Sequence, residues 1–213
     1  MASLLLIPKI IMSLYDRTRN RSTSAPVAPA DDLAKPVSLP SAPAQPVSDL
    51  QFNPDGLISE EVLKGLPENL KIRPLSRSDY DKGFVETLSQ LTTVGNLTRE
   101  VFDERFAKLQ KYNEVYFSIA IEDVSIGKVV ALGTIFIEDK FIHEAGSVGH
   151  IEDIVVNDCA RGKNLGRIVI EALKYIGQRR GAYKTLLACS EKNIGFYNKC
   201  GMSQKEVVMS VYY

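Results

Sequence analysis

The run from Gly149 to Gly166, GHIEDIVVNDCARGKNLG, holds the residues of this chain best suited to chemistry. An acidic pair, Glu152-Asp153, lies near the start of an apolar strand expected from Ile151 to Val156. A turn of small, polar and basic residues follows, and a helix is expected to begin at about Leu165. A strand, a tight turn and a helix N-terminus in this order can bind a pyrophosphate, because their backbone N–H groups point at the anion. The run therefore predicts a cofactor that contains a nucleotide.

Length and composition restrict the class of protein. The 213 residues suffice for one domain with an appendage. Lysine plus arginine and aspartate plus glutamate both number 26, which argues against a nucleic acid partner held by a basic surface. The three cysteines and two histidines lack metal-ligand spacing, so no metal is expected. So few cysteines indicate reduced thiols and a cytoplasmic location.

The N-terminal segment differs in composition from the rest of the chain. Eight of the ten prolines precede residue 55, and residues 22–54 are rich in Pro, Ala and Ser without a hydrophobic period. Such a segment buries too little apolar surface to offset its ordering entropy. Residues 1–65 are therefore predicted to be a disordered extension, followed by one domain at 66–213.

The first 21 residues leave several roles open. The apolar stretch Leu4–Leu14 falls short of the roughly 20 apolar residues that span a bilayer. Arg17, Arg19 and Arg21 follow it. These features are compatible with an organelle-targeting peptide, with a peripheral anchor on an endomembrane surface, or with a tail that has no role.

Hydrophobic patterning predicts an alternation of strands and helices in the domain. The predicted strands are 70–75, 116–122, 128–137, 149–156, 183–189 and 206–212, and the predicted helices are 79–91, 98–110, 165–180 and 193–199. Ser78 and Thr98 are the expected caps of the first two helices. The second and third strands are expected to form an antiparallel hairpin. The order indicates an α/β (α+β) domain, with helices packed on a mixed sheet.

Five separate blocks, in this order, resemble the GCN5-related N-acetyltransferase (GNAT) superfamily. They are LTTVGNLT at 91–98, KFIHE at 140–144, GHIEDIVV at 149–156, RGKNLG at 161–166 and EKNIGFYNKCG at 191–201. Within that superfamily the sequence is most similar to the eukaryotic glucosamine 6-phosphate N-acetyltransferases, over about residues 66–213. The resemblance implies acetyl transfer from acetyl-CoA to the 2-amine of glucosamine 6-phosphate, in UDP-N-acetylglucosamine biosynthesis. It also implies helices on both faces of the sheet, a splayed cleft between the fourth and fifth strands, and a homodimer.

The resemblance assigns a cofactor turn to residues 161–166. Asn164 stands where the family motif has its first glycine, and Asn accepts a positive φ better than most residues. The residues implied to bind acetyl-CoA are Ile154, Val155, Val156, Arg161, Gly162, Lys163, Asn164, Leu165, Gly166, Arg167 and Asn193. The alternative is an ordinary basic helix entry on a solvated face.

Three residues are implied to be catalytic. Tyr197 matches the tyrosine that protonates the departing CoA thiolate, a role that suits a phenol because its pKa lies near that of a thiol. The alternative is an aromatic residue that only packs beside Phe196. Glu152 and Asp153 are implied to lie beside the amino sugar. Alternation along a strand predicts that they face opposite sides, so that only one of them faces the acetyl group.

The resemblance also implies a substrate wall. Its members are Thr92, Lys140, Phe141, Ile142 and His143, together with Glu152 and Asp153. Lys140 suits a phosphate, and His143 suits a hydroxyl or the edge of the phosphate. A solvated hairpin lysine and a hydrogen-bonded structural histidine are the alternatives for these two residues.

Two positions depart from the family pattern. Ala188 stands where the family commonly has an acidic residue near the substrate amine, so the amine proton is expected to leave through water, a backbone carbonyl or the acidic pair. The chain ends in residues 210–213, SVYY, without the basic residue that reaches the sugar phosphate in some relatives. The phosphate is then expected to bind to Lys140, His143 or a basic residue of another segment. A GNAT enzyme for another small amine or a peptide N-terminus, and a non-catalytic acyl-CoA-binding protein, therefore stay open.

Overall fold

The computed structural model describes residues 49–212. Within these residues five strands form one sheet in chain order, namely β1 (Leu70–Pro74), β2 (Tyr116–Asp123), β3 (Lys128–Asp139), β4 (Ser147–Val156) and β5 (Ala182–Leu186). The α-helices that pack on it are α1 (Glu60–Lys64), α2 (Phe84–Leu88), α3 (Arg99–Lys111), α4 (Leu165–Arg179) and α5 (Ile194–Lys199). The predicted α/β (α+β) class is thereby confirmed. Across these residues no helix has the length and apolar character needed to cross a membrane.

The sheet is antiparallel except at one edge. β1 to β4 pair in antiparallel fashion, and β2 and β3 form the predicted hairpin. β5 runs parallel to β4, but its pairing covers only Ser147–His150 of that strand. The second half of β4 therefore has no partner strand on its β5 side.

Helix α4 covers one face of the sheet. Its predicted apolar stripe is buried against the strands, at Leu165, Val169, Leu173 and Ile176. The helix approaches β3 closely because Gly133 lies beneath it. A Cβ at that position would come within 2.6 Å of Val169 Cγ1. This close contact fixes α4 over the centre of the sheet.

Helix α3 and the shorter α2 cover the opposite face. Thr98 caps α3 as predicted, since its hydroxyl accepts a hydrogen bond from the N–H of Val101. Phe102 and Phe106 of α3 then enter a second, smaller core together with Leu132 of β3. Helices on both faces of the sheet, as the resemblance implied, leave β4 between two cores.

The helix predicted at 79–91 is interrupted. A 3₁₀ helix, Arg77–Lys82, begins after Ser76, which forms a capping box with Asp79. Gly83, at φ 84°, then separates this 3₁₀ helix from α2. A left-handed glycine ends a helical segment, so the prediction of one continuous helix capped by Ser78 is wrong.

Packed structure begins upstream of the predicted boundary at residue 66. Gln51 is buried, and its side-chain amide donates hydrogen bonds to carbonyl oxygens at the end of α3 and the start of β2, both at 2.9 Å. Phe52 is only 3% exposed and belongs to the core beneath α4. The remaining part of the predicted extension, residues 1–48, lies outside the described residues.

The C-terminal segment departs most from expectation. Residues 202–212 form no helix or strand, and Val207, Met209 and Tyr212 are 87%, 91% and 94% exposed. The strand predicted at 206–212 is therefore absent from this chain on its own. Alternating apolar residues form a strand only where another strand supplies hydrogen bonds, and this segment pairs with no strand of residues 49–212. The fifth strand also ends earlier than predicted, at Leu186.

Candidate active site

Strand β4 carries a β-bulge at its acidic pair. The pairing advances from Glu152 to Val155 on β4 while it advances only from Thr134 to Leu132 on β3, so β4 contains one extra residue. That residue is accommodated at Asp153, which has φ 55°. Asp accepts this left-handed conformation better than most residues because its short polar side chain can bond locally.

The bulge turns both members of the acidic pair toward one cavity. Ile151 packs in the core beneath α4, whereas Val155, four residues later, packs in the core beneath α3. In a regular strand these two residues would share a face. Glu152 and Asp153 accordingly line the same cavity on the α3 side. The prediction that they face opposite sides is wrong, because it assumed unbroken alternation.

Beyond His150, β4 is open toward β5. The parallel pairing of these strands ends where His150 meets Leu186, and the six following residues of β4 have no partner in β5. This gap is the splayed cleft predicted between the fourth and fifth strands. The side chains of Ile154, Val155 and Val156 pack within the two cores, so only their backbone groups are available to a ligand. Unpaired backbone groups are costly to bury, and a ligand with amide groups would satisfy them.

The turn at 161–166 enters α4 through two left-handed residues. Gly162 has φ 83° and Asn164 has φ 60°. Asn164 therefore adopts the kind of conformation that a glycine would take without strain. It is the N-cap residue of α4, but its side chain makes no capping hydrogen bond, so the first N–H groups of α4 stay available. These groups and the helix dipole suit a pyrophosphate.

Three basic side chains surround this turn. Arg161 is paired with Asp158, with Nη2 and Oδ1 2.5 Å apart. Lys163 and Arg167 are exposed and form no ion pair with any residue in 49–212. Arg167 lines a long cleft of 1630 Å³ beside α4, β5 and α5. Two free cations therefore stand at the rim of the anion site.

Gly166 allows α5 to approach the start of α4. A Cβ at Gly166 would lie 3.2 Å from Cζ of Phe196, so the glycine leaves room for that ring. Phe196 packs edge-on against Tyr197, with ring centroids 5.1 Å apart. Tyr197 is half-buried and lines the long cleft next to Ala188 and Cys189. The tyrosine thus both packs and faces the cleft.

The environment of Tyr197 favours its protonated form. Burial raises the pKa of its hydroxyl, and the nearby thiols of Cys189 and Cys200 raise it further. The phenol therefore keeps its proton at neutral pH and can donate it. Asn193, the N-cap residue of α5, makes no side-chain capping bond and does not line the cleft that Tyr197 lines.

A second cavity, of 420 Å³, lies between α3 and the sheet and reaches the bulge. We call it the acceptor cavity. Its floor is a row of paired residues across three strands, from Glu152 on β4 to Thr134 on β3 and Ser118 on β2. The two hydroxyls of this row lie 3.0 Å apart. The aromatic walls are formed by Phe84, Phe102, Phe106, Tyr116 and Phe136.

The acidic pair gives the acceptor cavity a negative end. Burial raises the pKa of Glu152, the charge of Asp153 raises it further, and His150 opposes this shift. A carboxylate with a raised pKa is a better proton acceptor near neutral pH than an ordinary glutamate. The two carboxyl groups together therefore suit a cationic amine that must lose a proton.

Of the residues predicted to form the substrate wall, Glu152 and Asp153 line the acceptor cavity, whereas the other five do not. These five are Thr92, Lys140, Phe141, Ile142 and His143. Lys140 Nζ lies 2.5 Å from Oε1 of Glu138, and the His143 ring packs against Tyr183 with centroids 4.4 Å apart. Thr92 lies in the exposed loop between α2 and α3. Their contact with a substrate stays a prediction.

Apart from the acidic pair, the residues of the acceptor cavity were not predicted from the sequence, and among them are Ser118, Thr134 and Arg105. Ser118 and Thr134 are polar residues inside otherwise apolar strands, YFSIAI and VALGTIFI, and that contrast was the available signal. Arg105 stands among the apolar positions of α3, between Phe102 and Phe106. Within residues 49–212 no group of three or more metal-ligating side chains comes together.

These features define a class of protein. One face of the sheet offers an anion-binding turn, a long cleft and an open strand edge, and the other face offers a cavity with two carboxyl groups. The arrangement suits transfer of a group from a nucleotide-linked carrier to an amine, through the gap beside β4. The chain belongs to the Acetyltransferase (GNAT) family, which residues 83–202 match. GNAT acetyltransferases use acetyl-CoA.

Several eukaryotic proteins are similar to this chain. A Dictyostelium discoideum protein called glucosamine 6-phosphate N-acetyltransferase 1 is 49% identical over 145 residues, which cover 68% of this chain and 92% of that protein. The Candida albicans glucosamine 6-phosphate N-acetyltransferase is 42% identical over 144 residues, covering 68% of this chain and 96% of that protein. The crystal structure of glucosamine-6-phosphate N-acetyltransferase from Arabidopsis thaliana matches with a TM-score of 0.67 at 46% identity, covering 68% of this chain and 99% of the other.

Proposed function

We propose that this chain transfers the acetyl group of acetyl-CoA to the 2-amine of glucosamine 6-phosphate. The products are N-acetylglucosamine 6-phosphate and CoA. The observation that carries the proposal is the division of chemical groups between the two faces of the sheet. A proton-donating tyrosine lines the cleft beside α4, and two carboxyl groups line the cavity beneath α3. The match to the GNAT family covers residues 83–202, which contain both groups.

The first half of the reaction requires that the cofactor is held and oriented. Bound acetyl-CoA supplies an activated thioester carbonyl. The N-terminal N–H groups of α4 and the turn before it would bind the pyrophosphate, with Lys163 and Arg167 adding positive charge at the rim. The open backbone of β4 beyond the bulge would pair with the amide groups of the pantetheine arm. The acceptor cavity meets β4 at this bulge, so the amine approaches from the opposite face.

The amine must lose a proton before it attacks a carbonyl carbon. Glu152 and Asp153 bind the ammonium form at the negative end of the acceptor cavity. The raised pKa of Glu152 makes it the better acceptor of that proton. Ala188, on the cleft side, has no group that can take this role. Glu152 and Asp153 therefore bind the ammonium group and take up its proton.

The departing sulfur must gain a proton. Tyr197 donates its phenolic proton to the sulfur as the C–S bond breaks and the C–N bond forms. Its raised pKa keeps this proton in place until the thiolate develops. The nitrogen loses its second proton as the amide forms, and this proton restores the phenol through water. The net products are therefore one amide, one CoA thiol and the first proton released by the ammonium.

Release of CoA thiol, measured with the full chain and glucosamine 6-phosphate, tests this proposal. We expect turnover with glucosamine 6-phosphate to exceed turnover with polyamines and peptide N-termini by orders of magnitude. A preference for one of those amines would reassign the acceptor. Binding of acetyl-CoA without turnover on any amine, at high enzyme and substrate concentrations, would refute the enzymatic role and leave an acyl-CoA-binding protein.

We also propose that the enzyme is a homodimer. Large apolar side chains that are exposed in the single chain support this, namely Phe141, Ile142, Val207, Val208, Met209, Val211 and Tyr212. His143, Glu144 and Ala145 adopt left-handed conformations, which persist only where the surroundings stabilise them. A second copy that pairs with residues 206–212 would cover both regions. Light scattering of the full chain and of a variant ending at Gln204 tests this. Particles of equal mass in the two samples would mean that the C-terminal segment does not hold a dimer together, and this would count against the proposal.

A further inference from the structure

Tyr197 lies on a helix that has little support of its own. Helix α5 has six residues, and none of its side chains is fully buried. Its N-cap residue, Asn193, makes no side-chain capping bond, and residues 202–212 beyond it form no helix or strand. Isolated helices shorter than about 12–15 residues are marginally stable in water. The position of α5, and with it the position of Tyr197, therefore depends on contacts with the rest of the molecule.

Helix α4 supplies contacts of two kinds. The first kind is apolar, since Phe196 packs over Gly166 and the buried Cys200, which follows α5, lies in the core beneath α4. The second kind is a hydrogen bond, which Lys174 Nζ donates to the carbonyl oxygen of Cys200 at 2.8 Å. Apolar contacts are not directional, whereas a hydrogen bond has a preferred distance and angle. The bond from Lys174 therefore restricts how the short helix can turn on α4.

This bond reaches the backbone of Tyr197 through a single residue. The carbonyl oxygen of Tyr197 accepts hydrogen bonds from the N–H of Cys200, at 2.9 Å, and from the N–H of Met202, at 3.1 Å. Cys200 thus donates to Tyr197 with its N–H and accepts from Lys174 with its carbonyl oxygen. A displacement of Cys200 would move the backbone of Tyr197, and the phenol at the end of that side chain would move with it.

The charge of Lys174 suits this place. Cys200 is the C-cap residue of α5, and the carbonyl groups at the end of a helix favour a cation. Glu171, one turn earlier on α4, contacts the same ammonium group at 3.0 Å. The side chain of Lys174 is only 33% exposed, so it is held between Glu171 and the end of α5.

We infer that Lys174 is a positioning residue for Tyr197, because it holds the end of α5 on α4 and so keeps the phenol in reach of the departing sulfur. This inference rests on the proposed function, in which Tyr197 protonates that sulfur. A general acid must lie within hydrogen-bond reach of the atom that it protonates, so a small displacement of α5 slows the step.

The anion site should not depend on this hydrogen bond. Lys174 follows Leu165, the first residue of α4, by about two and a half helical turns. Loss of the bond would therefore leave the start of α4 in place. Lys174 also lines the long cleft, so the competing role for this residue is direct contact with the cofactor. The two roles differ in the kinetic constant that they affect.

Steady-state kinetics of Lys174→Met, with glucosamine 6-phosphate at saturation, test the inference. Methionine keeps most of the length of the side chain but cannot donate a hydrogen bond. We expect kcat to fall about five- to twentyfold, which a small misplacement of a reacting group can cost. The KM for acetyl-CoA should stay within about twofold. Lys174→Arg should recover much of the loss, since it keeps the charge and a donor for Cys200.

A double-mutant cycle with Tyr197→Phe separates positioning from a general loss of structure. The Tyr197→Phe variant has no phenolic proton donor that could be misplaced. Lys174→Met should therefore lower kcat by less than about twofold in that background, although it lowers kcat more in the wild type. An equal fold-loss in both backgrounds would show that Lys174 acts on the fold or on another step, and this would overturn the inference.

Lys199→Met is the matched control. Lys199 is the last residue of α5, is exposed and does not line the long cleft. The control removes the same charge from the same end of the helix without touching the bond from α4. Its kcat and its KM for acetyl-CoA should stay within about twofold of the wild type. The melting temperatures of both variants show whether the chain still folds.

The outcomes separate the inference from the function on which it rests. A raised KM for acetyl-CoA with unchanged kcat in Lys174→Met would assign Lys174 to the cofactor and overturn the inference. Unchanged constants in Lys174→Met, with an active wild type, would overturn it as well and leave the proposed function intact. If the wild type transfers no acetyl group to glucosamine 6-phosphate, the proposed function fails and the inference fails with it.

Discussion

The two sides of β4 offer different kinds of groups to a ligand. On the α4 side these are backbone groups, set by the left-handed residues Gly162 and Asn164, by the start of α4 and by the open edge of β4. On the α3 side they are side chains, with two carboxyl groups and one arginine around a hydroxyl-lined floor. We therefore expect substitutions on the first side to act through conformation and those on the second to act through charge.

Tyr197 is the exception, because it offers a side chain on the α4 side, where the other groups offered to a ligand belong mainly to the backbone. Tyr197→Phe removes the proton donor but keeps the ring that packs beside Phe196. We expect kcat to fall about a hundredfold or more, the usual contribution of a general acid, while the KM for acetyl-CoA changes little. Steady-state kinetics at saturating acceptor measure this effect, the largest in the series.

Retention of most of the activity in Tyr197→Phe would mean that water protonates the thiolate. The backbone would then supply the whole function of the α4 side. The control is the melting temperature of the variant, which should match that of the wild type because only a partly exposed hydroxyl is lost.

Gly133 lies where α4 meets the sheet, and its substitution should affect stability more than chemistry. In Gly133→Ala the new Cβ would lie 2.6 Å from Val169 and 2.9 Å from Leu173, so α4 must move. We expect the free energy of unfolding to fall by about 1–3 kcal/mol. Urea denaturation measures this loss. Gly195→Ala is the matched control, because nothing lies within 4 Å of its Cβ position.

Asp153 contributes through both conformation and charge, since it forms the bulge and carries a carboxyl group. Asp153→Asn keeps tolerance for the left-handed conformation but removes the charge. The charge of Asp153 helps to raise the pKa of Glu152, and Glu152 must be ionised to accept a proton. The acidic limb of the profile of kcat/KM against pH should therefore move to lower pH in this variant. An unmoved limb would show that Glu152 does not control it.

Asn164 should give the smallest effect. Asn164→Gly relieves the cost of a non-glycine residue at φ 60°, which is at most about 1 kcal/mol for asparagine. We expect a slight gain in thermal stability and a KM for acetyl-CoA within about twofold of the wild type. Asn164→Val, by contrast, should raise that KM, because a β-branched residue resists this conformation. Equal KM values in both variants would contradict a backbone-built cofactor site.

The sequence predicted the elements whose signals are local. The apolar stripe of α4, the cap of α3 at Thr98 and the β2–β3 hairpin all follow from periodicity and turn chemistry, and all three are confirmed. The break at Gly83 was missed, because a glycine within a helical pattern has no fixed conformation until its neighbours pack. The strand predicted at 206–212 was wrong for a similar reason, since a strand depends on a pairing partner, and the segment has none among residues 49–212.

The candidate site also has one part that could be predicted from the sequence and one part that could not. The cofactor turn could be found from contiguous residues, because a strand, a turn and a helix N-terminus are adjacent in the chain. The acceptor cavity could not, since Ser118, Thr134 and Arg105 come from separate elements that tertiary packing brings together. The shared orientation of Glu152 and Asp153 required knowledge of the bulge, which a rule of alternation excludes.

The bulge in β4 also changes how the strand is read as a sequence pattern. Ile151, Ile154 and Val156 face α4, so the apolar spacing along this strand is three residues and then two. The ten-residue strand therefore consists of two short segments. Odd-numbered residues face α4 before the bulge, and even-numbered residues face α4 after it. In this chain, one odd step inside an otherwise even apolar pattern thus marks the bulge that turns Glu152 and Asp153 toward one cavity, just before the turn that contains Gly162 and Asn164.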